Sequence, residues 1–392
     1  MASSEPFVDL SRAFDSETGL PRGFASDAPA EDLKAFFDEF GFVVVENVLS
    51  PEELSATVDE LWSHEDLLGR PGILRADPSS WQQGWPAGEK GFLGSRTGAD
   101  EIWAWENRQN PRVIRPFEVL LGTPELVLNL DRYGVLRPTR GIVLLDGSVI
   151  DKPEWESPAS WLHCTFFPSI FFHFKLTIFI LLFWKGDQNP FRTPEFHGVQ
   201  GLVTLSDQSD VKSGGFMCVP GFQKAFGDWA KGKIGNENMV PLPVPLEETR
   251  IHQQTVMIPL AAGSLLIWDS RLPHQNFPNH SAGFRIVQYI TYFPAQQDPL
   301  FTAEFRRVMK NRVKTFASGF YKRLTLRGKQ VCGLLEYGQA EEDKELVADN
   351  PHRAEALALY RKGEEFEMAG DHPSAVSCFS KAFRLDPNLE IL

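Results

Sequence analysis

Three separate segments of the chain carry residue types that could together bind a metal ion and an acidic co-substrate. They are residues 161–163 (WLH), 187–190 (DQNP) and 263–274 (GSLLIWDSRLPH), and Arg285 follows the third segment. Two histidines and one carboxylate can hold Fe(II) on one face and leave its other positions open. An arginine can grip a dicarboxylic acid through two parallel hydrogen bonds, which a lysine cannot reproduce. These residue types therefore point to iron chemistry with an acidic co-substrate.

The spacing of the first two segments departs from the arrangement that such a site usually has. A histidine and a carboxylate two residues apart on a strand point to the same side, because strand side chains alternate between faces. Here Cys164 and Thr165 follow His163, and Asp187 comes only after 23 intervening residues. These residues, 164–186, are rich in Phe, Ile and Leu. A working site therefore requires that Asp187 return to His163.

Three explanations of the 164–186 segment stay open. Its run from Cys164 to Trp184 has 21 residues, enough for a membrane span, but that helix would hold His163 and Asp187 about 30 Å apart. A loop projecting from a working barrel would cost about 3 kcal/mol of closure entropy and would expose a phenylalanine-rich patch. The third explanation is a translated intron, since removal of 22 residues restores the two-residue spacing in frame. We favour the third explanation.

Further segments of the chain resemble one enzyme family in their order. They read FGFVVVENVLSPEEL, WLH with DQNP, VQGLVTLSDQ, SGGFMCVPG and GSLLIWDSRLPHQN, and Arg285 lies eleven residues beyond His274. Together they resemble the phytanoyl-CoA dioxygenase family of Fe(II)/2-oxoglutarate oxygenases over about residues 30–298. The chain departs from the family at Phe222 and Gln223, where many relatives have Ser-His, and it has no clear match for the family's upstream oxoglutarate-contacting lysine.

The resemblance implies a role for each matching residue. His163, Asp187 and His274 would bind iron, while Arg285 would hold the distal carboxylate of 2-oxoglutarate and Asn276 would assist there. The implied cofactors are Fe(II), 2-oxoglutarate and O2, with ascorbate as a supporting reductant. The implied reaction releases succinate and CO2 while it hydroxylates an unactivated carbon of a small-molecule or acyl-type substrate.

Short apolar runs separated by turn residues predict a mainly β fold with flanking helices. They span residues 141–145, 201–205, 216–219, 255–258, 264–268 and 285–293. Such runs without long intervening helices indicate a jelly roll, the double-stranded β-helix of cupin-like barrels. We expect four regions: an N-terminal helical and mixed region that packs on the barrel (1–127), the jelly-roll core interrupted by the apolar insertion (128–298), a basic helical extension (299–349) and a helical hairpin (350–392).

The N-terminal region predicts two helices around one strand. Helical spacing covers residues 30–40, Gly41 ends that helix, and residues 42–48 follow as a short buried strand. Ser50 is the predicted N-cap of a second helix that runs to about residue 62, since a proline and two acids follow it.

Composition narrows the function classes. The chain is 42% hydrophobic and carries a net charge of −13, which fits a globular protein that does not bind nucleic acid and is no general binder of anionic membranes. Four cysteines without a Cys-x-x-Cys pair fit a reducing compartment, and we expect a cytoplasmic protein. Nine lysines and arginines lie between residues 306 and 329, and we interpret them as a solvated helix face.

The C-terminal residues 354–387 resemble one tetratricopeptide repeat, with Gly363, Phe379 and Ala382 at its signature offsets. One repeat cannot bury its own apolar face, so we expect residues 350–392 to pack on the barrel, to pair with a protein partner or a second copy of the chain, or to belong to a truncated array. The sequence thus predicts a dioxygenase. The main alternative is a catalytically dead jelly roll that acts as an interaction module through this tail, and a second alternative is a protein anchored in a membrane by residues 164–184.

Overall fold

The computed structural model describes two compact units, each from part of the chain. The described residues are 6–88, 90–93, 101–159, 161–164, 198–231, 242–296, 302, 305–307, 309–310, 323–338, 352–368 and 371–385. The first unit contains the described residues up to 296, and the second contains those from 302 onward. Asp187 and residues 165–186 lie outside the described residues.

The first unit combines short strands with short helices. Its strands are β1 Gly23–Phe24, β2 Phe42–Val45, β3 Phe92–Leu93, β4 Leu126–Asn129, β5 Tyr133–Leu136, β6 Ile142–Val143, β7 Val149–Ile150, β8 His163–Cys164, β9 Val199–Thr204, β10 Gly215–Cys218, β11 Leu242–Pro243, β12 Val256–Ile258, β13 Leu265–Asp269, β14 His274–Phe277, β15 Arg285–Tyr289 and β16 Thr291–Pro294. Its α-helices are α1 Ala30–Phe40, α2 Pro51–Ser63, α3 Ile102–Gln109, α4 Pro111–Leu121, α5 Phe226–Lys231 and α6 Thr249–Gln253, with 3-10 turns at Leu10–Arg12, Pro78–Gln82, Pro153–Trp155, Val211–Ser213 and Phe222–Lys224.

Local signals set the first helices where the sequence predicts them. Gly41 follows α1 in the left-handed region with φ 78°, which a glycine adopts without strain. Ser50 caps α2: its hydroxyl accepts a hydrogen bond from the Glu53 amide, and the Glu53 carboxylate accepts one from the Ser50 amide. Such a cap contributes about 1 kcal/mol. The predicted helices at 30–40 and from residue 51 are therefore confirmed.

Two sheets form the body of the first unit. The larger sheet has the strand order β1-β2-β13-β9-β15-β5-β3, and the smaller has the order β11-β8-β14-β10-β12. Apart from the parallel pair of β1 and β2, all the strand pairings in both sheets are antiparallel. The N-terminal region, which we expected to pack on the barrel, also contributes β1, β2 and β3 to the larger sheet.

The two sheets face each other across the interior of this unit. Trp268 of the larger sheet lies 4.5 Å from Phe216 of the smaller sheet, measured between ring centroids. Arg285 of the larger sheet donates a hydrogen bond to Asn276 of the smaller one. The expected sheet-rich fold with helices is therefore present. The Trp268–Phe216 and Arg285–Asn276 contacts connect the two sheets.

A helix covers the outer face of the larger sheet. Phe117 of α4 stacks edge-on against Tyr292, with 4.9 Å between the ring centroids. A Cβ atom at Gly201 would lie 2.7 Å from the Phe117 ring and 2.8 Å from the Ile290 carbonyl oxygen. This close approach requires a glycine on β9, so α4 fixes the central strand of the larger sheet.

The second unit contains α7 Leu326–Val331, α8 Arg353–Met368 and α9 His372–Leu385. Helices α8 and α9 form the expected hairpin, with Tyr360 and Phe379 rings 4.6 Å apart. A Cβ atom at Gly363 would lie 2.6 Å from the Phe379 ring, so the two helices approach closely at this residue. The assignment of this hairpin to the tetratricopeptide class stays a prediction.

Helix length bears on one explanation of the apolar insertion. Within the described residues, no helix has both the length and the apolar character that crossing a membrane requires. Except for Cys164, the 164–186 segment lies outside those residues, so all three explanations of it stay predictions.

Candidate functional site

Two of the predicted metal ligands lie side by side in the smaller sheet. His163 on β8 is paired directly with His274 on the antiparallel strand β14. Their ring centroids are 4.6 Å apart, and both residues are buried. Residues more than a hundred positions apart in the sequence are thus brought together by strand register.

The backbone fixes which nitrogen of each imidazole carries the proton. Nδ1 of His163 lies 2.9 Å from the Trp161 carbonyl oxygen, and Nδ1 of His274 lies 2.8 Å from that of Leu272. A carbonyl oxygen only accepts, so each Nδ1 must donate. In a neutral ring Nε2 then carries the lone pair, which is the form of histidine that binds a metal.

Burial keeps both rings in that neutral form. It lowers the pKa of His163 to about 4, and the nearby charge of Lys90 acts in the same direction. Burial also lowers the pKa of His274 well below its ordinary value, with His163 as a second cause. At neutral pH the pair therefore needs no deprotonation before it binds a metal.

Aromatic side chains hold the two imidazoles in place. The Trp161 ring stacks on His163 with 5.0 Å between centroids and an interplanar angle of 18°. On the other side of the pair, Phe216 stacks on His274 at 5.7 Å, and Trp268 lies 5.4 Å from the same ring. These contacts restrict rotation of the rings.

Arg285 is buried completely in a network of neutral polar groups. Its Nε donates to Gln208 Oε1 at 3.0 Å, and its Nη2 donates to Asn276 Oδ1 at 3.0 Å. Asn276 lies two residues beyond His274 on β14, so both side chains point to the same face of that strand. The predicted co-substrate residues and the histidine pair therefore share the interior between the sheets.

No carboxylate in the described part of the chain forms an ion pair with Arg285. Burial lowers the pKa of Arg285, and the neighbouring Tyr289 acts in the opposite direction. A buried guanidinium with only neutral partners retains an uncompensated positive charge, which is costly in a protein interior. An anionic ligand at this place would compensate that charge.

The third predicted metal ligand, Asp187, lies outside the described residues. Among the residues that are described, no group of three or more His, Cys, Asp or Glu side chains could hold a metal ion. The nearby carboxylate of Asp269 is engaged by Arg271, whose Nε and Nη2 donate to its two oxygens at 2.8 and 2.5 Å. The described residues therefore offer a metal two neutral imidazole nitrogens. Asp187 remains the predicted carboxylate ligand.

Sequence reasoning missed two members of the arginine network, Gln208 and Tyr289. Tyr289 accepts a hydrogen bond from Asn276 Nδ2 at 2.9 Å. Its spacing was the available signal, because residues four apart on one strand share a face and Arg285 begins the same strand. Gln208 follows β9 and pairs with Leu260 in an isolated β-bridge; its available signal was its place at the end of the family-like segment VQGLVTLSDQ.

Comparison with known proteins gives one family match. Residues 182–287 match the family model described as Phytanoyl-CoA dioxygenase (PhyH). This match is about a quarter of the chain; it includes Asp187, His274 and Arg285 and begins after His163.

Relatives and a solved structure extend the likeness over more of the chain. A Dictyostelium discoideum protein, named provisionally as a phytanoyl-CoA dioxygenase, is 26% identical over 278 residues, which are 66% of this chain and 74% of that protein. The Ava biosynthesis cluster protein O of Aspergillus versicolor is 24% identical over 284 residues, 68% of this chain and 79% of that protein. A crystal structure from Salmonella typhimurium LT2, named provisionally as an oxidoreductase, has a TM-score of 0.50 and 15% identity over 78% of this chain and 85% of that chain. This structural likeness shows a shared fold.

Proposed function

We propose that this protein is a non-haem Fe(II)- and 2-oxoglutarate-dependent dioxygenase. One observation carries the proposal: a buried pair of neutral histidines shares the interior between two sheets with a buried arginine that has only neutral partners. The first feature fits a metal ion and the second fits a dicarboxylate. The family match over residues 182–287 supports the same activity.

The proposed roles follow from these positions. His163 and His274 would hold Fe(II) through Nε2, with Asp187 as the carboxylate ligand. Arg285 would bind the distal carboxylate of 2-oxoglutarate, and Asn276 would orient Arg285 through the hydrogen bond that its Oδ1 accepts. We assign Asn276 this orienting role because both ends of its amide already have protein partners.

The bound iron would supply O2 activation coupled to conversion of 2-oxoglutarate into succinate and CO2. The substrate would be a small molecule or an acyl-type compound that is hydroxylated at an unactivated carbon. The aromatic residues around the histidine pair would exclude bulk water from the reacting groups. The cytoplasm is the proposed compartment.

The test measures Fe(II)-dependent formation of succinate by the chain that lacks residues 165–186. We expect turnover in this protein and none in its His274→Ala variant. His280→Ala is the matched control, because the His280 Nε2 lies 3.5 Å from the Glu156 carboxylate and His280 is not among the proposed ligands. Unchanged turnover in His274→Ala would remove that residue from the mechanism.

A second candidate function is an interaction module without catalysis. The observation that favours it is the separation of Asp187 from His163 by 23 residues. In this case the α8–α9 hairpin, residues 353–385, would recruit a protein partner or a second copy of the chain. Absence of succinate formation with and without residues 165–186, together with loss of a partner on removal of residues 350–392, would support this candidate.

A further inference from the structure

Hydrogen-bond direction around Arg285 determines what the Tyr289 hydroxyl can do. Because the Arg285 Nη2 can only donate, the atom of Asn276 that faces it at 3.0 Å must be the carbonyl oxygen. The Asn276 amide nitrogen therefore faces the Tyr289 oxygen, 2.9 Å away, and donates to it. The Tyr289 oxygen is thus an acceptor within the protein, and its own proton is left for another acceptor.

Tyr289 lies on the same strand and the same face as Arg285. Arg285, Val287 and Tyr289 alternate along β15 and share one face of the strand. Arg285 is completely buried, whereas Tyr289 is only half-buried. The Tyr289 hydroxyl lies 2.9 Å from the Asn276 amide nitrogen, and Asn276 in turn accepts from Arg285.

A glycine on the neighbouring strand makes room for this phenol. Gly134 of β5 is paired with Val287. A Cβ atom at Gly134 would lie 2.9 Å from Val287 Cγ2, 3.1 Å from Tyr289 Cε2 and 3.4 Å from the Tyr289 hydroxyl. An alanine at this position would require the Val287 methyl group and the Tyr289 ring to shift by a few tenths of an ångström, so Gly134 is part of the geometry.

The Arg285 guanidinium has more N–H groups than its two carboxamide partners use. Gln208 and Asn276 engage two of the five N–H groups of the Arg285 guanidinium. The Tyr289 hydroxyl adds another donor beside the same positive charge. A carboxylate, which offers several lone pairs and one negative charge, matches this set.

We propose that Tyr289 is a second binding residue for the distal carboxylate of the 2-oxo acid, with its O–H donating to the oxygen that Arg285 does not satisfy, and that Gly134 provides the space for it. This inference rests on the proposed function and adds a residue that sequence comparison did not suggest. Recognition of the distal carboxylate would then depend on the neutral Tyr289 hydroxyl as well as on the positive charge of Arg285.

The experiment compares binding of two ligands to the full chain by calorimetry in the presence of Mn(II). The ligands are 2-oxoglutarate and 2-oxopentanoate. Both have five carbons, but 2-oxopentanoate has a methyl group in place of the distal carboxylate. We expect Tyr289→Phe to weaken 2-oxoglutarate binding roughly 10- to 150-fold, the value for loss of a hydrogen bond to a charged group, and to leave 2-oxopentanoate binding unchanged. Gly134→Ala should also weaken 2-oxoglutarate binding selectively, measured on the folded protein.

Tyr133→Phe is the matched control, because Tyr133 is the strand neighbour of Gly134 and its hydroxyl has no hydrogen-bond partner in the described residues. Equal weakening of both ligands by Tyr289→Phe would indicate a structural role and would overturn the inference, as would no weakening at all. If Arg285→Lys alone lost selectivity for 2-oxoglutarate, the proposed function would stand without Tyr289. If the chain without substitutions fails to bind 2-oxoglutarate both in the presence and in the absence of residues 165–186, the proposed function and this inference are both refuted.

Discussion

Replacement of Arg285 by lysine separates co-substrate binding from metal binding. The guanidinium is completely buried and reaches two acceptors, Gln208 after β9 and Asn276 on β14, at 3.0 Å each. A lysine keeps the positive charge but presents it from one nitrogen on a shorter chain. It can therefore no longer bridge both carboxamides and also offer two parallel donors to a carboxylate.

The magnitude follows from the contacts that are lost. Loss of one hydrogen bond between charged groups costs about 1.5–3 kcal/mol, which corresponds to roughly 10- to 150-fold weaker 2-oxoglutarate binding. If the buried Gln208 loses its partner, unfolding free energy falls by about 1–3 kcal/mol. Metal affinity should change by less than about twofold, since Arg285 is not among the proposed ligands.

The assay measures 2-oxoglutarate binding by calorimetry, Co(II) binding by absorbance and stability by urea unfolding, all on the same preparation. Arg112→Lys is the control, because Arg112 pairs with Glu53 outside the candidate site. A fall in metal affinity without a change for 2-oxoglutarate would assign Arg285 a structural role. That result would refute the reasoning from its uncompensated charge.

Three further predictions test other parts of the chain. In the metal-free protein, the unfolding free energy should fall as pH drops from 6.5 towards 4, because the unfolded chain protonates both His163 and His274 near 6.5 while burial lowers their pKa values in the folded chain, that of His163 to about 4. Each histidine contributes about 1.4 kcal/mol per pH unit, so the pair contributes up to about 2.8 kcal/mol per pH unit, and a flat urea profile over this range would contradict the prediction. Removal of residues 165–186 should raise iron-dependent succinate formation and solubility relative to the full chain, and equal values would show that the fold tolerates the insertion. Gly363→Leu should open the α8–α9 hairpin by displacing Phe379, seen as faster proteolysis of the tail, whereas Lys362→Leu on the neighbouring position should not.

Local structure was predictable where a few adjacent residues decide it. The helix that begins after Ser50 follows from its capping box, and the end of α1 follows from Gly41. The predicted strand run at 285–293 divides into β15 and β16, because the pairing partner changes from β5 and β9 to β4 at that point. That change depends on strands distant in sequence, so the run of apolar residues alone cannot reveal it.

The candidate site was predictable only in part. The sequence placed His163, His274 and Arg285 in one site, and the structure brings these three residues into one interior. The tautomers of the histidines and the link from Asn276 to Tyr289 depend on strand register and hydrogen-bond direction, which no sequence spacing expresses. The role of Asp187 stays a prediction, since that residue lies outside the described part of the chain.

The direct pairing of His163 with His274 also has a consequence for the order of assembly. Their contact joins residues more than a hundred positions apart, so it closes a long loop and is not part of the local structure of an unfolded chain. An unfolded or nascent chain therefore offers a metal no ready chelate, and loading follows folding rather than guiding it. Metal added during refolding should leave the main folding rate unchanged, while metal added afterwards should slow unfolding.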